Sequence, residues 1–244
     1  MHVRSLQKYF SKYVGNSFVG IFFYKHQMKK IKLPLEIIGF LIAWSAVISQ
    51  TILACTKNEE GILFILVRLL SFFTIIGNTS VALYFTQAIF GFKNAFFQLF
   101  SKKNASIFIV SYITIVCLGY HLLLQDVWNP QGFQYVVDRF LHLINPLYFL
   151  AYWLLFEAKK THQWRIVPQS IIVPLIYLSY VLLFGEIFKK YPYPFLDINE
   201  LGYLKVIVTA LILGVGICMT TAFFVSLSKI MARFGMQKMM NSKR

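Results

Sequence analysis

Long runs of apolar residues, separated by short polar segments, dominate the pattern along this chain of 244 residues. A helix that crosses a membrane needs about 20 predominantly apolar residues, and we interpret six runs as spans of this kind. The predicted spans cover residues 35–54, 62–91, 106–125, 137–157, 169–188 and 203–228. The pattern therefore predicts an all-α, polytopic membrane protein, a bundle of six transmembrane helices.

The six spans leave room for one membrane domain, residues 34–228, with a basic aromatic cytoplasmic arm before it (1–33) and a basic cytoplasmic tail after it (229–244). The arm fits either a helix lying at the membrane interface or a partly ordered basic segment. Pro34 and Pro168 are predicted at the entries of the first and fifth spans, where a missing backbone N–H costs little.

Composition supports a membrane location. Charged residues make up 14% of the chain and hydrophobic residues 58%, with a mean hydropathy of +0.64, whereas a soluble domain carries about 25% charged residues. The net charge of +15 is concentrated between the apolar runs. We therefore interpret the basic residues as topology signals and contacts with anionic lipids, and we expect no nucleic-acid partner.

The distribution of lysine and arginine predicts the orientation. Eighteen of the 24 lie in segments on one side of the predicted bundle and five on the other, with Arg68 inside the second run. Because cytoplasmic segments carry the excess of positive charge, both termini are expected in the cytoplasm. Arg68 fits either an outer boundary residue whose charged end extends toward water or a ligand for a substrate carboxylate.

Polar residues gather toward the predicted outer half of the bundle. Their spacings of three, four and seven predict one helical face on each of two spans, and Thr74 and His142 fall roughly 8–10 Å below the outer boundary. Such residues either bond helices together or form a functional pocket. They are Arg68, Ser71, Thr74 and Asn78 on the second span, Asp138, His142, Asn145 and Tyr152 on the fourth, and His121 and Glu186 on the third and fifth.

Some of these residues form a chemically complete set for acyl transfer. Thr74 is a candidate nucleophile, and His142 is the best available base to take its proton. Asp138, one turn earlier, either orients the imidazole or is a helix N-terminal charge, and Asn78 is a candidate donor to an oxyanion. His121 is either another pocket donor or a packing residue.

A loop with two prolines and a further carboxylate also bear on the site. The segment Tyr191–Asp197 contains two prolines, which keep it extended, and fits either a lid that contributes Tyr193 or Asp197 to the site or a rigid interfacial anchor. Glu157, beside two lysines, is expected to be exposed at the interface. The three cysteines have no metal-type spacing, and no nucleotide or metal motif occurs, so the sequence predicts neither a metal nor an organic cofactor.

Three motifs resemble a known family. They are FFTIIGN at 72–78, LHLINP at 141–146 and YPYPFL at 191–196, and together they resemble the FAR-17a/androgen-induced-gene-like membrane family, including its prokaryotic six-helix branch, over roughly residues 34–228. Animal members are transmembrane threonine hydrolases that act on fatty acid esters of hydroxy fatty acids. The resemblance implies these roles for Thr74 and His142. Where the prokaryotic branch often carries serine, this chain has Gly77.

The leading hypothesis is therefore a lipid ester hydrolase in the bacterial inner (plasma) membrane, with an acyl ester of the membrane as its partner and substrate. The alternative is a non-enzymatic multi-pass protein, either a small transporter or a lipid-binding scaffold. A transporter needs a polar path through the whole bilayer, often built from repeats. The sequence contains no evident repeat, and the predicted inner halves of the helices are poor in ionisable residues.

Overall fold

The computed structural model describes residues 18–56 and 60–241. Every regular element in these ranges is helical, and six helices are long and apolar enough to cross a membrane. The predicted six-helix, all-α membrane bundle is confirmed. The six spans are Lys30–Thr56, Phe73–Phe90, Ala105–Leu124, Phe133–Glu157, Ile166–Phe188 and Ile198–Phe234.

Ten α-helices build the spans and their short connections. In chain order they are α1 (Phe18–Thr56), α2 (Ile62–Leu70), α3 (Phe73–Phe90), α4 (Ala95–Ser101), α5 (Ala105–Gly119), α6 (Phe133–Arg139), α7 (Asn145–Tyr152), α8 (Ile166–Gln169), α9 (Ile172–Phe188) and α10 (Ile198–Asn241). Three π turns, in which one extra residue widens the helix, continue or join them; such turns are frequent at functional sites. They cover Tyr120–Leu124, Phe140–Ile144 and Trp153–Glu157.

The ends of the first and last helices differ from the prediction. Pro34 lies inside α1 rather than at a helix entry. Because proline has no backbone N–H, the carbonyl of Lys30 has no partner within the helix; Lys30 is exposed. Residues 1–17 of the predicted arm lie outside the described ranges. At the other end α10 continues to Asn241, past the predicted start of the tail, and bends at Gly202, whose φ of 74° favours glycine.

The second apolar run is two helices, and the prediction of one continuous helical face through Arg68, Thr74 and Asn78 is wrong. At the break, the Ser71 N–H bonds to Arg68 O instead of Val67 O, and Phe72 takes an extended conformation. A break in a membrane requires other partners for the freed backbone groups, and α9 supplies them.

Two tyrosines of α9 hold this break. Tyr180 donates its hydroxyl to Val67 O at 2.6 Å, and Tyr177 donates to Ser71 O at 2.7 Å. The partners are more than 100 residues apart in sequence, so local spacing carries no sign of the break. As a result Thr74 is the second residue of α3 instead of a residue in the middle of a long helix.

The half of the bundle that is predicted to face the cytoplasm is tightly packed around α3. Phe85, Phe149 and Trp153 are fully buried there, and a side chain at Gly39 of α1 would come within 2.4 Å of the Phe85 ring. Glycine at this position therefore lets α1 approach α3 closely. The two cavities that adjoin Thr74 lie in the other half of the bundle.

A second polar cluster, called the inner cluster, lies at the end of the bundle that is predicted to face the cytoplasm. Glu157 is 2% exposed and pairs with Lys160, so its predicted exposure is wrong. Tyr152 donates to the buried carboxylate of Glu36 at 2.7 Å. A polar cavity of about 220 Å³ adjoins these groups. Tyr152 therefore belongs to this inner cluster and not to the outer polar face on which its spacing placed it.

Candidate functional site

The hydroxyl of Thr74 meets the imidazole of His142. Thr74 lies in the first turn of α3 and is 8% exposed, while His142 projects from the π turn between α6 and α7. Thr74 Oγ1 lies 3.3 Å from His142 Nε2. This separation is within reach of a loose hydrogen bond, the relationship that a nucleophile and its base require.

The other nitrogen of His142 is held by Asp138. Nδ1 lies 3.1 Å from Asp138 Oδ1 and 3.0 Å from the Asp138 backbone oxygen. Because both of these atoms are acceptors, the proton of a neutral imidazole belongs on Nδ1, and Nε2 is free to accept from Thr74. Trp128 Nε1 donates to the same carboxylate oxygen at 3.1 Å and so fixes the position of the carboxylate.

Tyr120 fixes the plane of the imidazole. Its ring stacks on that of His142 with a centroid distance of 3.9 Å and an interplanar angle of 13°. Both residues come from π turns, one after α5 and one after α6. The sequence reasoning missed Tyr120 and Trp128, because an aromatic residue in or beside an apolar run gives no sign of which ring it will contact.

Tyr193 approaches Thr74 from the segment between α9 and α10. Its hydroxyl lies 3.5 Å from Thr74 Oγ1 and accepts the Thr74 backbone N–H at 3.4 Å. Burial raises the pKa of Tyr193, so the phenol keeps its proton at neutral pH and remains a donor. Phe195 stacks on its ring at 5.0 Å, which fixes the phenol over the site.

The predicted oxyanion donor, Asn78, has another role. Its amide nitrogen donates to Thr74 O at 2.8 Å and to Leu141 O at 3.1 Å, and its oxygen accepts from Asn145 at 2.6 Å. Both amide hydrogens are therefore used by backbone carbonyls. Asn78 and Asn145 tie α3 to the fourth span, which is the helix-bonding alternative for this part of the polar cluster.

Four other predicted pocket residues lie outside the walls of the two cavities that adjoin Thr74 and are described below. Arg68 forms an ion pair with Glu60 at 2.8 Å, and Glu186 pairs with Lys189 at the surface. Asp197 accepts the backbone N–H of Asn199 at 2.9 Å, at the start of α10. His121 Nδ1 lies 2.8 Å from the carbonyl of Cys117 in its own helix.

Two cavities meet at Thr74. The first, the outer cavity, has a volume of about 420 Å³, and Pro192, Tyr193 and Pro194 form part of its wall. The second, the apolar cavity, has a volume of about 120 Å³ and lies between α5, α9 and α10. The two share four residues, which are Thr74, Tyr120, Leu124 and Tyr193.

The donor atoms at this site suit acyl chemistry better than metal binding. Thr74 and Tyr193 offer hydroxyl groups, and the one carboxylate, from Asp138, is already bonded to His142 and Trp128. In the part of the chain that the structure describes, no three His, Cys, Asp or Glu side chains come together to hold a metal ion.

The arrangement thus contains a hydroxyl, a base and a carboxylate in series, with a second hydroxyl beside the first. The family resemblance carried by the three sequence motifs stays a prediction. Comparison of the chain with protein-family models, with curated proteins and with solved structures gives no match.

Proposed function

We propose that this integral membrane protein is a lipid ester hydrolase with Thr74 as nucleophile and His142 as base. The observation that supports it best is the distance of 3.3 Å between Thr74 Oγ1 and His142 Nε2, with Asp138 on the far nitrogen of the ring. The order of hydroxyl, imidazole and carboxylate is the arrangement that activates a hydroxyl nucleophile on many unrelated folds.

The reaction runs in two halves. Thr74 Oγ1 attacks the ester carbonyl carbon as His142 Nε2 takes the hydroxyl proton, and the tetrahedral adduct forms. The adduct collapses with cleavage of the bond to the alcohol oxygen, which receives the proton from His142. A water molecule then attacks the acyl-threonine, His142 takes its proton and returns it to Thr74 Oγ1, and the fatty acid leaves.

Two groups are positioned to stabilise the negative oxygen of the adduct. The backbone N–H of Thr74 lies in the first turn of α3, where the partial positive charge of the helix favours an anion. The Tyr193 hydroxyl lies 3.4 Å from that nitrogen. In the adduct both groups can donate to one oxyanion, the amide through its N–H and the phenol through its O–H. This pair takes the role that the sequence suggested for Asn78.

The proposal includes an orientation. With both termini in the cytoplasm of a prokaryotic cell, the Thr74 site faces the outer leaflet, and the inner polar cluster around Glu157 faces the cytoplasm. The substrate then comes from the membrane itself and enters at the outer end of the bundle.

Labelling with a fluorophosphonate probe tests the proposal. Wild type and Thr74→Ser are expected to react with the probe, Thr74→Ala to lose the reaction, and His142→Ala to react at least 10²-fold more slowly. Thr79→Ala and His121→Ala are matched controls, since both positions lie outside the cavity walls. Equal labelling of wild type and Thr74→Ala would remove Thr74 as the nucleophile.

A further inference from the structure

We infer that the two cavities divide the ester between them: the apolar cavity takes the first methylene groups of an acyl chain, whose remainder lies in the membrane, and the outer cavity takes an alcohol part that carries no negative charge. This inference rests on the proposed function and names the substrate class of the same site. The two cavities share Thr74 and Tyr193. An ester whose carbonyl lies at Thr74 therefore extends its acyl part into one cavity and its alcohol part into the other.

The apolar cavity suits a hydrocarbon chain. Its wall away from Thr74 consists of aliphatic side chains of three helices, and the hydroxyl of Tyr177, which also lines it, is already bonded to Ser71 O. A polar substrate group would find few partners there, whereas each buried methylene gains from leaving water. The aliphatic residues include Ile115 and Val116 of α5, Leu175 and Leu178 of α9, and Leu213 and Ile217 of α10.

Gly119 keeps part of this space open. It lies at the end of α5 in the cavity wall, and a Cβ atom added at this position would meet no other atom within 4 Å. The neighbouring Leu118 is 48% exposed on the outside of the helix. These adjacent positions therefore separate bulk placed in the cavity from bulk placed toward lipid.

The outer cavity differs in size and in charge. It is larger, and the side chains of Gln50, Trp128, Gln134 and Asp138 line it. Among the described residues of its wall there is no lysine or arginine. A carboxylate or phosphate on the alcohol part would face Asp138 without a counter-charge, which is unfavourable in a partly desolvated site.

The substrate is therefore an ester of a long-chain fatty acid with a neutral polar alcohol of the glycerol type. The family resemblance implied a different alcohol part, a hydroxy fatty acid with a free carboxylate. The single carboxylate and the lack of lysine and arginine among the described wall residues disfavour that substrate, and a direct comparison of the two esters decides between them.

Two kinetic comparisons test the division. The first uses three palmitoyl esters: of glycerol, of a hydroxy fatty acid, and of the methyl ester of that hydroxy acid. We expect kcat/KM to be at least about tenfold lower for the free acid than for its methyl ester. The glycerol ester should have a kcat/KM similar to that of the methyl ester. Equal or faster cleavage of the free acid overturns the assignment of the outer cavity.

The second comparison uses Gly119→Leu. Because its side chain displaces several methylene groups of a long acyl chain, the ratio of palmitoyl to butyryl ester hydrolysis should fall about tenfold or more. Leu118→Phe, which adds bulk toward lipid, should leave the ratio unchanged. An unchanged ratio in Gly119→Leu overturns the assignment of the apolar cavity.

A binding measurement separates this inference from the proposed function. Thr74→Ala is irradiated with a diazirine-bearing palmitoyl glycerol ester, and the labelled peptides are identified by mass spectrometry. Label on the cavity residues of α5, α9 and α10 that is lost when Gly119→Leu is added supports the acyl site, even if no ester is hydrolysed by wild type. Label that Gly119→Leu does not change overturns the acyl site, whatever the hydrolysis data show.

Discussion

Tyr177 donates its hydroxyl proton to the carbonyl oxygen of Ser71 at 2.7 Å, and this bond holds the break between α2 and α3 open. In a continuous helix Ser71 O would accept from Ile75 N–H, but Ile75 bonds to Phe72 O instead. The phenol thus replaces a backbone donor at a residue that is only 1% exposed, where water is not available to do so. The position of Thr74 at the start of α3 depends on this replacement.

We therefore expect Tyr177→Phe to lower the free energy of unfolding by about 1–3 kcal/mol, because the freed carbonyl is left without a partner. Fluorophosphonate labelling should slow in parallel, since Thr74 loses its fixed position. Thermal unfolding in detergent and the labelling rate measure the two effects. Tyr203→Phe, at an exposed position of α10, is the control. Unchanged stability and labelling in Tyr177→Phe would show that the break is maintained by other contacts.

Asp138→Asn tests how the base is positioned. The amide keeps the size of the carboxylate but allows the wrong imidazole tautomer, with the proton on Nε2. We expect kcat for ester hydrolysis to fall roughly 10²-fold or more with little change in KM. Glu186→Gln, in an exposed ion pair, should leave both constants unchanged. A variant in which KM rises and kcat is retained would assign Asp138 to substrate binding instead.

Tyr193→Phe tests the second oxyanion donor, and Tyr191→Phe is its control in the same segment. Loss of the Tyr193 hydroxyl should lower kcat by about 10²–10³-fold. The buried Tyr191 hydroxyl has no hydrogen-bond partner in the described part of the chain, so its removal should be neutral.

The pH profile adds a check on the same residue. Because burial raises the pKa of Tyr193, its loss of a proton belongs above the ordinary tyrosine value of 10.0. The wild-type rate should therefore show no decline from tyrosine ionisation between about pH 7 and pH 9. A decline in this range that disappears in Tyr193→Phe contradicts the role of a neutral donor.

His162 gives the fold a pH dependence separate from catalysis. This residue of the loop between the fourth and fifth spans is 2% exposed and bonds to Asn104 through Nδ1 at 3.0 Å. Burial, followed by the nearby charges of Lys103 and Lys160, lowers its pKa from the ordinary 6.5. The unfolded chain therefore takes up a proton at a higher pH than the folded protein does.

The stabilising contribution of neutral His162 is complete above about pH 6.5 and declines as the pH falls through the lowered pKa of the folded protein. We expect the melting temperature to drop between about pH 7.5 and pH 5.5, and to drop less in His162→Gln, which keeps a donor for Asn104. Thermal unfolding at both pH values measures the difference. Parallel declines in the two proteins would exclude His162 as the source.

The sequence was sufficient to predict the six spans, because their length and low charge are required of any helix in lipid. It also paired Thr74 with His142, since the rise of a helix is nearly constant and residues at equal depth on adjacent spans can meet. Asp138 followed from its position one turn before His142. Each of these predictions depends on local regularity, which the bilayer enforces.

The remaining features depend on contacts between distant segments. Tyr177 and Tyr180 hold the break in the second apolar run from more than 100 residues away, and the sequence analysis found no signal for the π turns that carry Tyr120 and His142. The structure differs from the prediction for Asn78, because a spacing of four brings its amide close to the Thr74 carbonyl, to which it donates at 2.8 Å. Spacing gives the neighbourhood of a side chain and not the atom that it binds.

The break between α2 and α3 lowers the stability of the protein but leaves the backbone N–H of Thr74 available for the reaction. An unbroken helix would tie the peptide N–H of Thr74 into its own ladder of bonds and would be the sturdier structure in a bilayer. The same N–H would then be unable to receive a developing charge. A variant in which α2 and α3 form one continuous helix would therefore be more stable but inactive, even with every side chain of the site in place.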